Sequence, residues 1–134
     1  MFSLDDAGLQ KALEPSLGDK TARVLEVYRK NRPGASPTDL YVAITTARMM
    51  GNNAITLAER KVAQKGAPVF MYMFTFESET PAAQGVTYPT KAAHALEIPF
   101  VFDNLAKAPS MVGEVTPQAQ ALAVQFGERG QRHA

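Results

Sequence analysis

Apolar positions recur at helical spacing through the first half of the chain, then alternate at every second residue between Ala67 and Phe76. That change of period separates a helical region from a strand. Helices are predicted over about 4–14, 20–30, 37–50, 54–65 and 117–129. Ser3 is placed to cap the first, with Asp6 at its third position, Leu9 and Leu13 as its stripe and Pro15 as its end. The second buries Val24, Leu25 and Tyr28, and Asn31-Arg-Pro-Gly34 stops it. Ser36-Pro37 opens the longest pattern, with serine as cap, proline at the first helical position and Asp39 at the third. Leu40, Ala43, Ile44 and Ala47 share one face there. Gly51-Asn-Asn53 predicts a kink or a break. Ile55, Ala58 and Val62 then resume a stripe that Gly66 terminates.

The alternating segment reads Ala67-Pro-Val-Phe-Met-Tyr-Met-Phe-Thr-Phe76. Val69, Met71 and Met73 fall on one face; Phe70, Tyr72, Phe74 and Phe76 fall on the other. Both faces are apolar, as in a strand covered by helices on both sides of a sheet. Such a strand needs neighbours for its backbone donors and acceptors, and no second segment matches it. Ile98–Phe102 is apolar but short, and it opens with a proline. The expectation is an incomplete sheet, which pairs with another polypeptide or with a copy of itself.

Composition narrows the class. At 134 residues, 46% hydrophobic and 20% charged, the chain has the makeup of a soluble globular domain or part of one. A net charge of +1 gives no reason to expect nucleic acid or a membrane surface as partner. The absence of cysteine removes disulfides and thiolate metal sites and fits a cytoplasmic protein. Phe2-Ser-Leu-Asp-Asp6 carries no basic region ahead of an apolar core, so no signal peptide is expected. The two histidines, His94 and His133, are far apart and make no metal site. His133 sits in a polar tail read as solvated. Ser36, Ser78 and Ser110 have capping or loop roles, and Glu77–Gly85 reads as an exposed loop. Met49, Met50, Met71 and Met73 read as core filler.

The stretch with the most chemical content is Lys91-Ala-Ala-His-Ala-Leu-Glu-Ile-Pro-Phe-Val-Phe-Asp-Asn104. It resembles the segment around the catalytic histidine of the type B carboxylesterases, an α/β-hydrolase family. Three further segments are similar to that family, in the same order. Ser36-Pro-Thr-Asp-Leu-Tyr-Val-Ala-Ile-Thr-Thr46 and Leu57-Ala-Glu-Arg-Lys-Val-Ala-Gln64 look like two of its helices. Gly66-Ala-Pro-Val-Phe-Met-Tyr-Met-Phe74 looks like the strand before its histidine. Phe126-Gly-Glu-Arg-Gly130 is a weaker echo. There are departures: Ala47 replaces an aspartate, Met49–Asn53 replaces an aromatic and proline pattern, and Ala95 stands where glycine follows the histidine. Tryptophan, common in the family's last helix, is absent.

The resemblance implies an α/β fold, with residues 1–134 as one carboxy-terminal segment of an α/β-hydrolase domain. It implies His94 as the catalytic base of a Ser-His-Glu triad that hydrolyses small carboxylic esters through an acyl-enzyme, without metal or organic cofactor. Glu97 reads either as an acid standing behind the histidine or as a solvated carboxylate at a helix start. No Gly-x-Ser-x-Gly elbow and no Gly-Gly oxyanion motif occurs in these residues. The family's acid would fall just before Phe2. Nucleophile and acid are therefore expected on an amino-terminal portion of the hydrolase, and the chain alone is expected to be inactive. The competing expectation is a non-catalytic, esterase-derived domain that dimerises or binds a partner.

Overall fold

The computed structural model of the chain describes residues 2–131, so His133 lies outside the described residues. Two compact units divide it, Met1–Met71 and Tyr72–Ala134. The fold is mostly helical, with one small two-stranded antiparallel sheet.

The first unit is built from α1 (Asp6–Leu17), α2 (Thr21–Asn31), α3 (Pro37–Thr46) and α4 (Asn52–Ala63). Asp5, not Ser3, caps α1: its carboxylate accepts the Gly8 N–H at 2.7 Å, a stronger charge-assisted bond than a serine hydroxyl offers. Nor does Pro15 end α1. It lies inside the helix, exposed, where it forfeits one backbone donor and its ring crowds the carbonyl one turn back. The end comes at Gly18, whose positive φ of 56° is open to glycine and whose N–H returns to the Glu14 carbonyl. At α3, Ser36 and Asp39 form a reciprocal capping box, with Pro37 in the first turn. Leu9, Leu13, Leu25, Leu40 and Ile44 make the core, each at most 5% exposed.

No break occurs at Gly51. A π turn over Ala47–Gly51 carries α3 directly into α4, and the Asn53 side-chain amide donates to the Met49 carbonyl at 2.9 Å. A π turn holds one extra residue, which rotates everything after it by about 100° relative to an unbroken α-helix. Ile55, Ala58 and Val62 would have continued the phase of Leu40 and Ile44. The rotation takes them off it, and since α4 buries no residue on any face, Ile55, Leu57 and Val62 are exposed rather than buried. The same holds for Met49 and Met50, which are not core filler. The helix also ends earlier than Gly66: Lys65 takes the left-handed position, φ 52°, and its N–H donates to the Val62 carbonyl.

The strand expected over 67–76 does not form. A strand exists only through its ladder, and residues 68–77 take no regular secondary structure. Its signature survives in burial: Phe74, Phe76 and Ser78 turn inward while Met73, Thr75 and Glu77 turn out. Met71 and Met73, also expected as filler, are exposed.

The second unit holds the sheet, β1 (Ser78–Pro81) against β2 (Pro89–Lys91), then α5 (Ile98–Val101), α6 (Pro109–Val112) and α7 (Pro117–Gln131). Thus β1 falls within the segment expected to be an exposed loop. The reason is Ser78, only 1% exposed, which faces the unit's interior. Thr116 caps α7, its hydroxyl accepting the Ala119 N–H at 3.1 Å. Phe100, Leu96, Leu105, Val112, Ala119 and Ala123 form the core, with Phe74, Phe76 and Phe126 packed against it. Among the described residues no helix is long and apolar enough to cross a membrane.

Burial separates two leucines of the same chemistry. Leu40→Ala removes a side chain that is 2% exposed and is expected to lower unfolding free energy by about 2–5 kcal/mol. Leu57→Ala, at a side chain 70% exposed, is expected to change it by less than about 0.5 kcal/mol. Urea titration followed by far-ultraviolet circular dichroism measures both.

Candidate functional site

The loop bearing His94 is held at both ends by the second unit. On its amino-terminal side is the hairpin, where Pro81 pairs with Pro89 and Ser78 with Lys91, with an irregularity between the two pairs. Two opposed prolines remove ladder donors, and side-chain hydroxyls do part of their work. Ser78 Oγ lies 2.9 Å from Thr80 Oγ1, which is 3.1 Å from Thr90 Oγ1 and 3.3 Å from the Met111 carbonyl. That chain of hydroxyls ties both strands to α6. Gly113, just after α6, sits at φ 78°, and a Cβ there would meet Thr80 Cγ2 at 3.2 Å.

From Lys91, itself at φ 51°, the chain enters a run of tight turns. The Leu96 N–H donates to the Ala93 carbonyl and the Ile98 N–H to the Ala95 carbonyl, both at 3.2 Å. The next links are the amides of Val101 to Glu97 at 2.9 Å and of Asn104 to Pro99 at 2.9 Å. Underneath, Leu96, Pro99 and Phe100 are buried. Two ring contacts hold Phe100: 5.1 Å between centroids to Phe74 and 4.7 Å to Phe76. Beyond the loop, Gln120 of α7 donates to Asp103 at 2.9 Å. His94 therefore stands exposed on a short loop whose neighbours on both sides are anchored.

Ala95 has φ 68°, the left-handed region that disfavours every residue with a Cβ. Here the backbone gives a physical reason for glycine after the histidine, and this chain does without it.

Glu97 lies at the start of α5, half-buried, and its carboxylate caps no helical N–H. Among the described residues neither His94 nor Glu97 makes a side-chain hydrogen bond, to each other or to a serine. Ser36 is committed to its capping box, Ser78 to the hydroxyl chain, and Ser110 lies exposed in α6. Among the described residues, the loop presents an exposed histidine with no serine hydroxyl or carboxylate bonded to it. Among the described residues no three of His, Cys, Asp and Glu gather closely enough to hold a metal. The hydroxyl chain is the feature that sequence reasoning missed; Ser78 and Thr80, two apart on one strand face, were its signal.

The first unit has its own concavity, an open apolar groove of about 410 Å³ between α4 and the segment that follows. Leu57, Ala58, Val69, Phe70 and Met71 line it, with Lys61 as the one charged side chain.

No protein-family model matches this chain.

The strain at residue 95 is measurable. Ala95→Gly relieves a left-handed alanine and is expected to raise stability by about 0.5–1 kcal/mol, net of glycine's greater unfolded-state freedom. Ala95→Val, β-branched at the same φ, is expected to lower it by more than about 1 kcal/mol. Denaturant midpoints of the two variants should move in opposite directions.

Proposed function

We propose that this chain is the carboxy-terminal part of a carboxylic ester hydrolase of the type B carboxylesterase kind, in which His94 is the proton-transferring base. Support comes from the loop: an exposed histidine, a left-handed residue directly after it, and a buried Pro99-Phe100 pair beneath, in the order the resemblance requires. The serine and the acid come from an amino-terminal portion of the hydrolase. The serine attacks the ester carbonyl as His94 takes its proton, and His94 returns that proton to the departing alcohol. Water then attacks the acyl-enzyme by the same exchange in reverse, releasing the acid. The carboxylate holds the imidazole in the tautomer that leaves its accepting nitrogen toward the serine. No metal or organic cofactor enters this chemistry.

The partner is thus the amino-terminal portion, whose strands complete the sheet beside residues 67–76. A second reading, a non-catalytic domain that dimerises or binds a protein partner, is favoured by the exposed apolar side chains of α4, Ile55, Leu57 and Val62.

Hydrolysis of a short-chain chromogenic aryl ester separates the two. The chain alone is expected to match His94→Ala, with no turnover above that control. Combined with a polypeptide carrying the Gly-x-Ser-x-Gly portion, it is expected to hydrolyse the ester and to lose roughly 10³-fold or more in kcat on His94→Ala. An assembled hydrolase indifferent to His94→Ala would falsify the assignment.

A further inference from the structure

Basic and acidic residues are shared unevenly along the chain. Residues 1–47 carry six of each, and residues 72–134 carry four basic against six acidic. Between them, residues 48–71 hold Arg48, Arg60, Lys61 and Lys65 against Glu59 alone. That local charge of +3 is concealed by the chain's total of +1. None of these five side chains makes an ion pair with a described residue.

The same stretch holds α4, which buries none of its residues. Met49, Met50, Leu57 and Val62 are each more than 60% exposed. At 3.6 residues per turn, Leu57, Lys61, Ala54, Ala58, Val62 and Ile55 follow one another within about 160° of the helix. Asn52, Asn53, Thr56, Glu59 and Arg60 take the opposite side. Arg60 borders Leu57 at one edge of the apolar side, and Glu59 borders Ile55 at the other. The groove opens on this apolar side, with Val69 and Phe70 along its other wall. A helix that is apolar on one side, basic in its surroundings and free of core contacts has the pattern of an element lying flat on a lipid surface.

Two observations choose lipid over a protein partner. Lys61 stands within the apolar side and lines the groove. Under a protein its ammonium would be buried unless an acid stood directly over it, and lysine is depleted from interface cores. At a bilayer its stem lies along the acyl chains while its ammonium snorkels to the headgroups. The cations also fall near both ends of the helix, Arg48 ahead of it and the other three at or just past its last turn, roughly 18 Å away. A protein would need acids at that spacing; an anionic bilayer offers charge at any spacing.

We propose that α4 docks on an anionic bilayer surface, with Leu57, Val62 and Ile55 at the boundary between headgroups and acyl chains. Arg48, Arg60, Lys61 and Lys65 meet the anionic headgroups. The docking does not depend on His94 having any part in ester hydrolysis.

Co-sedimentation of the full chain with vesicles tests this, using phosphatidylcholine alone and equal parts of phosphatidylcholine and phosphatidylglycerol. Binding to the anionic vesicles and none to the neutral ones is expected. R60Q and K61Q should each weaken it about five-fold, and added salt should weaken it further. The chain contains no tryptophan, so Leu57→Trp places a single emitter on the apolar side, and its emission should shift to the blue on anionic vesicles. Circular dichroism of the variants should match that of the parent. No binding, equal binding to neutral vesicles, or binding unmoved by both R60Q and K61Q would overturn the proposal. So would an unshifted Leu57→Trp emission on vesicle-bound protein. Self-association without lipid that is lost on Leu57→Ala would give the face to a second copy instead, and would overturn it too.

Discussion

Every backbone amide and carbonyl of a folded chain needs a partner, and the two kinds of secondary structure meet that need differently. A helix supplies its own partners, so α1, α2 and α3 assemble mainly by side-chain packing, with the Arg29–Asp6 ion pair between α1 and α2, and α4 forms without burying any of its residues. A strand depends on its neighbours. Residues 68–77 have the sequence of a buried strand and, in this chain, nothing to ladder with. That difference accounts for much of the architecture. The helical stretches are formed, α1, α3 and α7 with side-chain caps, and the sheet is a hairpin held by backbone bonds and, where prolines lack donors, by side-chain hydroxyls.

In the second unit aromatic packing substitutes for the missing ladder. Phe74 and Phe76 reach Phe100 across 5.1 and 4.7 Å, and Phe126 of α7 stands 6.0 Å from Phe74. Those contacts attach the strand-like segment to α5 and α7 without backbone bonds. They also set the floor under the histidine loop, since Phe100 follows His94 by six residues and is fully buried. His94 itself is exposed, and among the described residues no carboxylate bonds to it.

Local chemistry was legible in the sequence where one residue decides the outcome alone. Ser36, Pro37 and Asp39 name a helix start, because their side chains need nothing beyond three residues of their own backbone. Choices between near-equal neighbours were not legible. Asp5 took the cap from Ser3 by charge, and Lys65 rather than Gly66 turned left-handed. Nor was the fate of Ile55 and Val62 legible, because the spacing of apolar residues carries no mark of the π turn that rotates them. That His94 lies in a loop could be read from Lys91–Asn104. The Ser78–Thr80–Thr90 hydroxyl chain could not, since it joins residues ten positions apart with α6 behind them.

The π turn at Ala47–Gly51 has one more consequence. It adds a single residue to the helical run from Pro37 to Ala63. A single residue is one codon. An in-frame deletion of one codon there would convert the π turn to ordinary α-helix and leave Ile55 and Val62 on the side they occupy now. Losing the turn while every residue is kept would instead swing α4 by about 100°, toward the line of Leu40 and Ile44. The extra residue is thus absorbed locally, and the helix beyond keeps the address it would have without it.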